Sequence, residues 1–269
     1  MTDRKYKKDS KGDYMQTVKE IEAELKTIEE PTTWLKELEN DGRVGVKKAL
    51  NRWYSNYKKR QQVLAAFERK KAFDASYKPF QQAYVAGVDE AGRGPLAGPV
   101  VTAAVILPED SKALIGLDDS KAISKAKREQ LAETIKEIAI AYSIHIQPAT
   151  VIDELNIYSA TKLSMEKAVE TLSVSPDFVI VDAMQLNGHY RTESVIKADA
   201  QSLAVAAASI LAKTTRDTYM DDIHTEFPVY QFAKNAGYGT AEHVEALKKH
   251  GPCIHHRKSF EPVKSLSKV

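Results

Sequence analysis

Tyr84-Val-Ala-Gly-Val-Asp-Glu-Ala-Gly-Arg-Gly-Pro-Leu-Ala-Gly-Pro-Val100 is the stretch whose reading decides the fold. Its first half is short, small and β-branched, without a helical period, which predicts a buried strand over 84–89 ending on an acid. Gly92-Arg93-Gly94-Pro95 then turns the chain, and the apolar run 99–107 predicts a second strand. Further out, 138–146, 178–182 and 195–198 read as three more strands. Helical spacing recurs over 124–137, 158–172, 202–226 and 241–250. Asn187-Gly188 marks a tight turn that suits a hairpin. The expected product is an α/β domain, a mixed five-stranded sheet flanked by helices.

Acids fall where strands end. Asp89 closes the first strand, Asp182 closes Phe178-Val-Ile-Val, and Asp199 stands just ahead of the helix starting near Ser202. Ligands of open α/β sheets gather beyond the carboxyl ends of strands, so these acids can converge. Glu90 joins them only if the backbone leaves the strand after Asp89, because neighbouring strand residues face opposite ways. Crowded carboxylates repel one another unless a cation lies between them, and an all-oxygen set suits Mg²⁺ or Mn²⁺ better than zinc. The plainer reading stays open at this stage: a strand-terminal Asp commonly caps a turn, and Asp199 also suits a helix N-terminus. Gly92-Arg93-Gly94 exposes backbone to a close ligand. The glycine spacing is wrong for a dinucleotide loop and no P-loop lysine follows, although a ligand-free turn remains possible.

Upstream of the sheet the texture differs. Residues 1–82 hold 19 Lys/Arg against 13 Asp/Glu, a balance of +6, whereas the other 187 residues balance at −4. Residues 1–14 are charged and poor in aliphatics, which predicts disorder. Val18, Ile21, Leu25 and Ile28 predict a helix before Pro31, Trp34, Leu35 and Leu38 a second, and Val46, Leu50, Trp53, Tyr57, Leu64 and Phe67 a long third. Residues 1–82 are therefore read as a basic helical extension and 83–269 as the catalytic body. Arg52, Lys58, Lys59, Arg60, Arg69, Lys70 and Lys71 are candidates to grip phosphates, while Trp53 and Tyr57 are read as packing rather than base-stacking residues. The lone Cys253 and the absence of a long apolar run point to a soluble, cytoplasmic protein without membrane contact. Cys253, His255 and His256 lack zinc spacing, and His256 is expected to pack or bond backbone.

The opening stretch closely resembles the signature of the ribonuclease HII family. Collinear segments extend the likeness over roughly 83–262: Leu117-Asp-Asp-Ser-Lys121, Leu155-Asn-Ile-Tyr158, Val181-Asp182, Lys197-Ala-Asp199, Ala206-Ala-Ala-Ser-Ile-Leu-Ala-Lys213 with Arg216-Asp217, Gly237-Tyr-Gly-Thr240, and His256-Arg-Lys-Ser-Phe260. The resemblance implies a ribonuclease H-like fold and an endonuclease acting on RNA–DNA hybrids and on single ribonucleotides in duplex DNA. It implies Mg²⁺ or Mn²⁺ held by Asp89, Glu90, Asp182 and Asp199, and cleavage 5′ to the ribonucleotide leaving 3′-hydroxyl and 5′-phosphate ends. Gly92, Arg93 and Gly94 would read the ribose 2′-hydroxyl and Tyr238 would stack on the following deoxyribose. Lys121, Lys213 and Arg216 would contact phosphates, although Lys213 also suits an ion pair with Asp217. A monomer serving ribonucleotide removal and primer clearance is expected. Two alternatives remain, the sister ribonuclease HIII family and a hybrid-binding module without catalysis. Ala183 and Ala198 stand where the family often has glycine.

Overall fold

The computed structural model describes residues 16–117 and 123–267. The expectations for residues 1–14 and for Lys121 lie outside the described residues. The chain divides at Ala65/Ala66 into two compact units. In the first, α1 (Val18–Leu25), α2 (Thr33–Leu38) and the opening turns of α3 (Val44–Ser76) share a core of Ile21, Leu25, Leu35, Leu38, Val46, Leu50 and Trp53. Thr17 and Glu20 form a capping box that starts α1. Trp53 is buried, bonds the Ile28 carbonyl at 2.9 Å and stacks on Tyr57, so these aromatics pack, as the helical spacing suggested. Arg52, Lys58 and Lys59 stay exposed.

The division between the units lies inside α3, and the last turns of that helix belong to the larger unit. There Phe67 is buried in the main core, and Asp74 Oδ2 accepts from the Ala204 amide at 2.9 Å. Lys70 corrects the phosphate-gripping set: it is buried and donates to the Asp199 carbonyl at 3.0 Å.

The larger unit is built on one sheet: β1 (Val85–Ala91), β2 (Val100–Ile106), β3 (Ala141–Gln147), β4 (Phe178–Asp182) and β5 (Arg191–Val195), in the order β3-β2-β1-β4-β5. β1 runs antiparallel to β2 and parallel to β4, and β4 runs parallel to β5. Between and after the strands come α4 (Lys125–Ile138), α5 (Ala149–Leu155), α6 (Ile157–Glu170), α7 (Ala198–Gln201), α8 (Leu203–Glu226), α9 (Phe232–Asn235), α10 (Ala241–His250) and α11 (Val263–Leu266). β2 is buried along its whole length because both faces are covered. Val101, Ala103 and Val105 meet α4 and α8 on one side, while Ala104 and Ile106 meet Met165, Ala168 and Val169 of α6 on the other. The start of α8 lies directly on β1: a Cβ at Gly87 would stand 2.2 Å from the Ala204 carbonyl carbon, so only glycine permits this approach.

Three expectations need correction. The fifth strand is 191–195, not 195–198, since Lys197 adopts a left-handed φ of 56° and the chain coils at once into α7. Asn187-Gly188 closes no hairpin, because β4 and β5 pair in parallel. β1 does not break after Asp89; it pairs with β2 through Glu90↔Thr102 and Ala91↔Val101.

Candidate active site

The parallel ladder between β1 and β4 stops at Val88↔Val181. Asp89 and Asp182 are each the next residue, so two acids stand side by side where the sheet opens. That gap also explains how Asp89 and Glu90 share a site without a break in the strand, because β1 has lost its β4 neighbour along this edge. Asp182 Oδ1 accepts from the Ala198 amide at 2.8 Å, which draws α7 and Asp199 to the same opening. Asp199 Oδ1 in turn accepts from the Ala200 amide at 2.9 Å.

These acids line one cleft of about 240 Å³ together with Gly92, Arg93, Gly94, Ser209, Lys213, Arg216 and Tyr238. Every sequence-derived site residue within the described segments is therefore in one place. Asp89 is nearly buried. Burial first, then repulsion from Glu90 and Asp182, raises its carboxyl well above the usual range, against a hydrogen bond from Ser209. Burial also raises Glu90, opposed by the Arg93 guanidinium 3.4 Å from Oε1. Glu90 Oε2 is buried and accepts no hydrogen bond from any of the described residues.

Among the described residues, no three acidic, histidine or cysteine side chains close into a ready cage. The carboxylates line a cleft, leaving room for waters. That openness fits Mg²⁺ or Mn²⁺, which suit carboxylate and water ligands; Mg²⁺ keeps several waters and takes one or two carboxylates. A buried oxygen left without a partner among the described residues, and two carboxyls raised first by burial and then by neighbouring acids, are the marks of a donor set completed by a cation.

Arg216 does not present itself to a phosphate. It is fully buried and donates Nε to the Pro99 carbonyl at 3.0 Å and NH2 to that of Ala97 at 3.1 Å. A Cβ at Gly92, whose φ is +94°, would overlap Arg216 Nε, so glycine is obligatory there. Lys213 is ion-paired with Asp217, which also lies 3.5 Å from Arg128. Tyr238 is half exposed at the rim. His256 bonds backbone as expected, with Nδ1 2.9 Å from the Cys253 amide.

Three contributors escape a residue-level reading. Ser209 sits in an alanine-rich helix and looks like core filler, Lys70 lies in a basic run, and Arg257 looks like a loop cation. Only the three-dimensional contacts single them out.

Models of two families match this chain: that described as ribonuclease HII covers residues 86–263, and that of the ribonuclease HII N-terminal domain covers 17–78. A ribonuclease HII of Geobacillus sp. is 46% identical over 253 residues, 93% of this chain and 90% of that protein. The crystal structure of ribonuclease H2 from Pyrococcus horikoshii superposes with a TM-score of 0.61 at 27% identity, covering 69% of this chain and 97% of the other. A ribonuclease HIII solved in complex with Mn²⁺ shares the fold, with a TM-score of 0.57 at 17% identity over 71% of each chain. With both of its parts matched and the relative aligned nearly end to end, the chain belongs to the ribonuclease HII family and is a ribonuclease H-type endonuclease.

Proposed function

We propose that the cleft cuts RNA–DNA hybrids and also duplex DNA at a single embedded ribonucleotide, on the 5′ side of that residue, leaving 3′-hydroxyl and 5′-phosphate ends. The observation that carries this reading is the sharing of one opening by the Asp89, Glu90 and Asp182 carboxylates, the Gly92-Arg93-Gly94 turn and Tyr238. Asp89, Glu90, Asp182 and Asp199 would hold Mg²⁺ or Mn²⁺. Bound there, such ions would supply charge neutralisation for displacement at phosphorus.

The chain's own groups do the positioning. Ser209 and the Ala198 amide orient the Asp89 and Asp182 carboxylates, and Arg93 holds Glu90. Among the described residues the amides of Gly92, Arg93 and Gly94 are bonded to no acceptor, so they are available to the 2′-hydroxyl, the group that distinguishes RNA from DNA. Tyr238 offers its exposed ring to the next sugar, and the Lys213 ammonium supports the phosphate. Exposed Arg52, Lys58 and Lys59 of α3 add a sequence-independent grip. We expect a cytoplasmic monomer, the oligomeric state being read by light scattering.

The test is a labelled duplex with one ribonucleotide, incubated with the protein and Mn²⁺ or Mg²⁺, beside a full hybrid. Cleavage of both, with ligatable 3′-hydroxyl ends, is expected. Cutting the hybrid while sparing the single ribonucleotide would favour the ribonuclease HIII-like specificity instead.

A further inference from the structure

We propose that Arg257 is a positioning residue that sets the preference for a ribonucleotide, by locking the peptide planes whose amides meet the 2′-hydroxyl. This rests on the reading of Gly92-Arg93-Gly94 given above and adds the group that makes that reading possible. Arg257 is completely buried. Its guanidinium donates NH2 to the Gly92 carbonyl at 2.5 Å, NH1 to the Arg93 carbonyl at 2.8 Å and Nε to the Gly98 carbonyl at 3.0 Å.

A trans peptide is planar, with C=O and N–H pointing opposite ways. The Gly92 carbonyl shares its plane with the Arg93 amide, and the Arg93 carbonyl with the Gly94 amide. By drawing both carbonyls inward, Arg257 turns those two amides the other way, towards the cleft that Arg93 and Gly94 line. Neither amide has an acceptor among the described residues. A guanidinium fork makes two such bonds in a fixed geometry, which a lysine cannot reproduce.

The energetics point the same way. Among the described residues, neither Arg257 nor Arg216 has a carboxylate within ion-pair distance, and the two cations stand close enough that burial and Arg216 together push Arg257 down to about 9. Burying unpaired charge is costly unless hydrogen bonds repay it. Here the two arginines make five such bonds, all to carbonyls of the single loop from Gly92 to Pro99. An apolar core would fill the same space more cheaply, but only the five bonds fix the shape of that loop. Only Arg257 bonds the two carbonyls on the substrate turn; behind it, Gly98 is held by Arg257 and its neighbours Ala97 and Pro99 by Arg216.

The experiment compares full-length wild type, Arg257→Lys and Arg257→Gln by their affinity, in Ca²⁺ to suppress cleavage, for a duplex with one ribonucleotide and for the same duplex in all-DNA form. Circular dichroism and a thermal melt check folding. Two amide hydrogen bonds at about tenfold each bound the effect. The ribonucleotide preference of the wild type should fall about 10- to 100-fold in both variants, with all-DNA affinity unchanged within about threefold. A merely structural role would weaken both affinities together or lower only the melting temperature, and an unchanged preference in folded variants overturns the proposal. If wild type itself shows no preference, the reading of the turn fails first and separately. Should both variants fail to fold, amide exchange in the wild type decides. Protection of Arg93 and Gly94 by the ribonucleotide duplex, and not by all-DNA, is expected, and equal exchange in the two complexes refutes the lock.

Discussion

The Nε2 atoms of His243 and His256 face each other at 2.9 Å in the buried interior. Their outer bonds fix which one donates. The Tyr238 carbonyl, 2.9 Å from His243 Nδ1, can only accept, and the Cys253 amide, 2.9 Å from His256 Nδ1, can only donate. His256 therefore donates Nε2–H to His243, and both rings are neutral, in a relay that ends on the backbone of the rim tyrosine.

That relay predicts a pH effect. Burial, then the charge of His243, pushes His256 down to about 4, and burial lowers His243 as well. A histidine whose folded pKa lies below its unfolded value stabilises fully above about 6.5, and its contribution fades as pH falls from there to about 4. Asp74, raised to about 6 mainly by burial, works in the opposite sense, so the difference between proteins is the quantity to measure. Against His256→Asn, the wild-type stability advantage should shrink by about 2–3 kcal/mol between pH 7.5 and pH 4.5. A constant difference in denaturant melts would refute the neutral relay.

Asp89→Asn separates stability from catalysis. A carboxyl whose pKa is raised in the folded state destabilises the fold increasingly as pH rises through that value, so the amide should stabilise the metal-free protein at pH 7. The cleavage rate should fall at least about 1000-fold, because a divalent ion loses an anionic ligand. Thermal melts and single-turnover rates report the two effects independently. A variant less stable than wild type, without metal, would mean that the cluster is not electrostatically strained.

Truncation distinguishes the two ends of α3. Removing residues 1–65 takes away a unit with its own core, whereas removing 1–82 also deletes Phe67, Lys70 and Asp74 from the larger one. The shorter deletion should leave a folded nuclease with raised KM and a flatter salt dependence, since phosphate contacts are lost. The longer should not fold: it opens a cavity at Phe67, worth about 3–5 kcal/mol, and takes the Asp74 acceptor away from the Ala204 amide in the first turn of α8, which keeps its Ser202 cap. Equal activity of the two would show that the last turns of α3 are dispensable.

How far the sequence foretold this molecule depended on burial. Phe178–Asp182 and Ala241–His250 were legible to the residue, because an uninterrupted apolar run and a capped amphipathic period leave little choice. Arg191-Thr-Glu-Ser-Val195 was missed, since an edge strand half in solvent has no apolar signature. Asp182 is legible from its place at a strand end, and Asp89 from the end of its apolar run, although β1 continues to Ala91. What joins them is not legible, because the opening between β1 and β4 is a property of pairing that no single segment encodes. Arg216 and Arg257 are illegible for the same reason: charge predicts exposure until a loop of carbonyls is known to surround it.

Ala183 is the residue where the chain works against local preference. It follows Asp182 with φ at 46°, the left-handed region, which costs a residue with a Cβ about 1–2 kcal/mol relative to the right-handed one. The turn is nevertheless fixed, because the Ala183 amide donates to the Val195 carbonyl at 3.0 Å and Asp182 is tied to the Ala198 amide. Glycine would remove the steric cost but add about 0.5–1 kcal/mol of unfolded-state entropy. Ala183→Gly should therefore stabilise the protein by up to about 1 kcal/mol, a rise in Tm of about 2–4 °C for a unit of this size. Cleavage should stay within about twofold of wild type, because the carboxylate keeps its backbone donor. A lowered Tm would show that the alanine methyl makes a contact worth more than the strain. A large loss of activity with Tm raised would instead mean that the stiffness of this turn, rather than the amide of Ala198, aims Asp182 at the cleft.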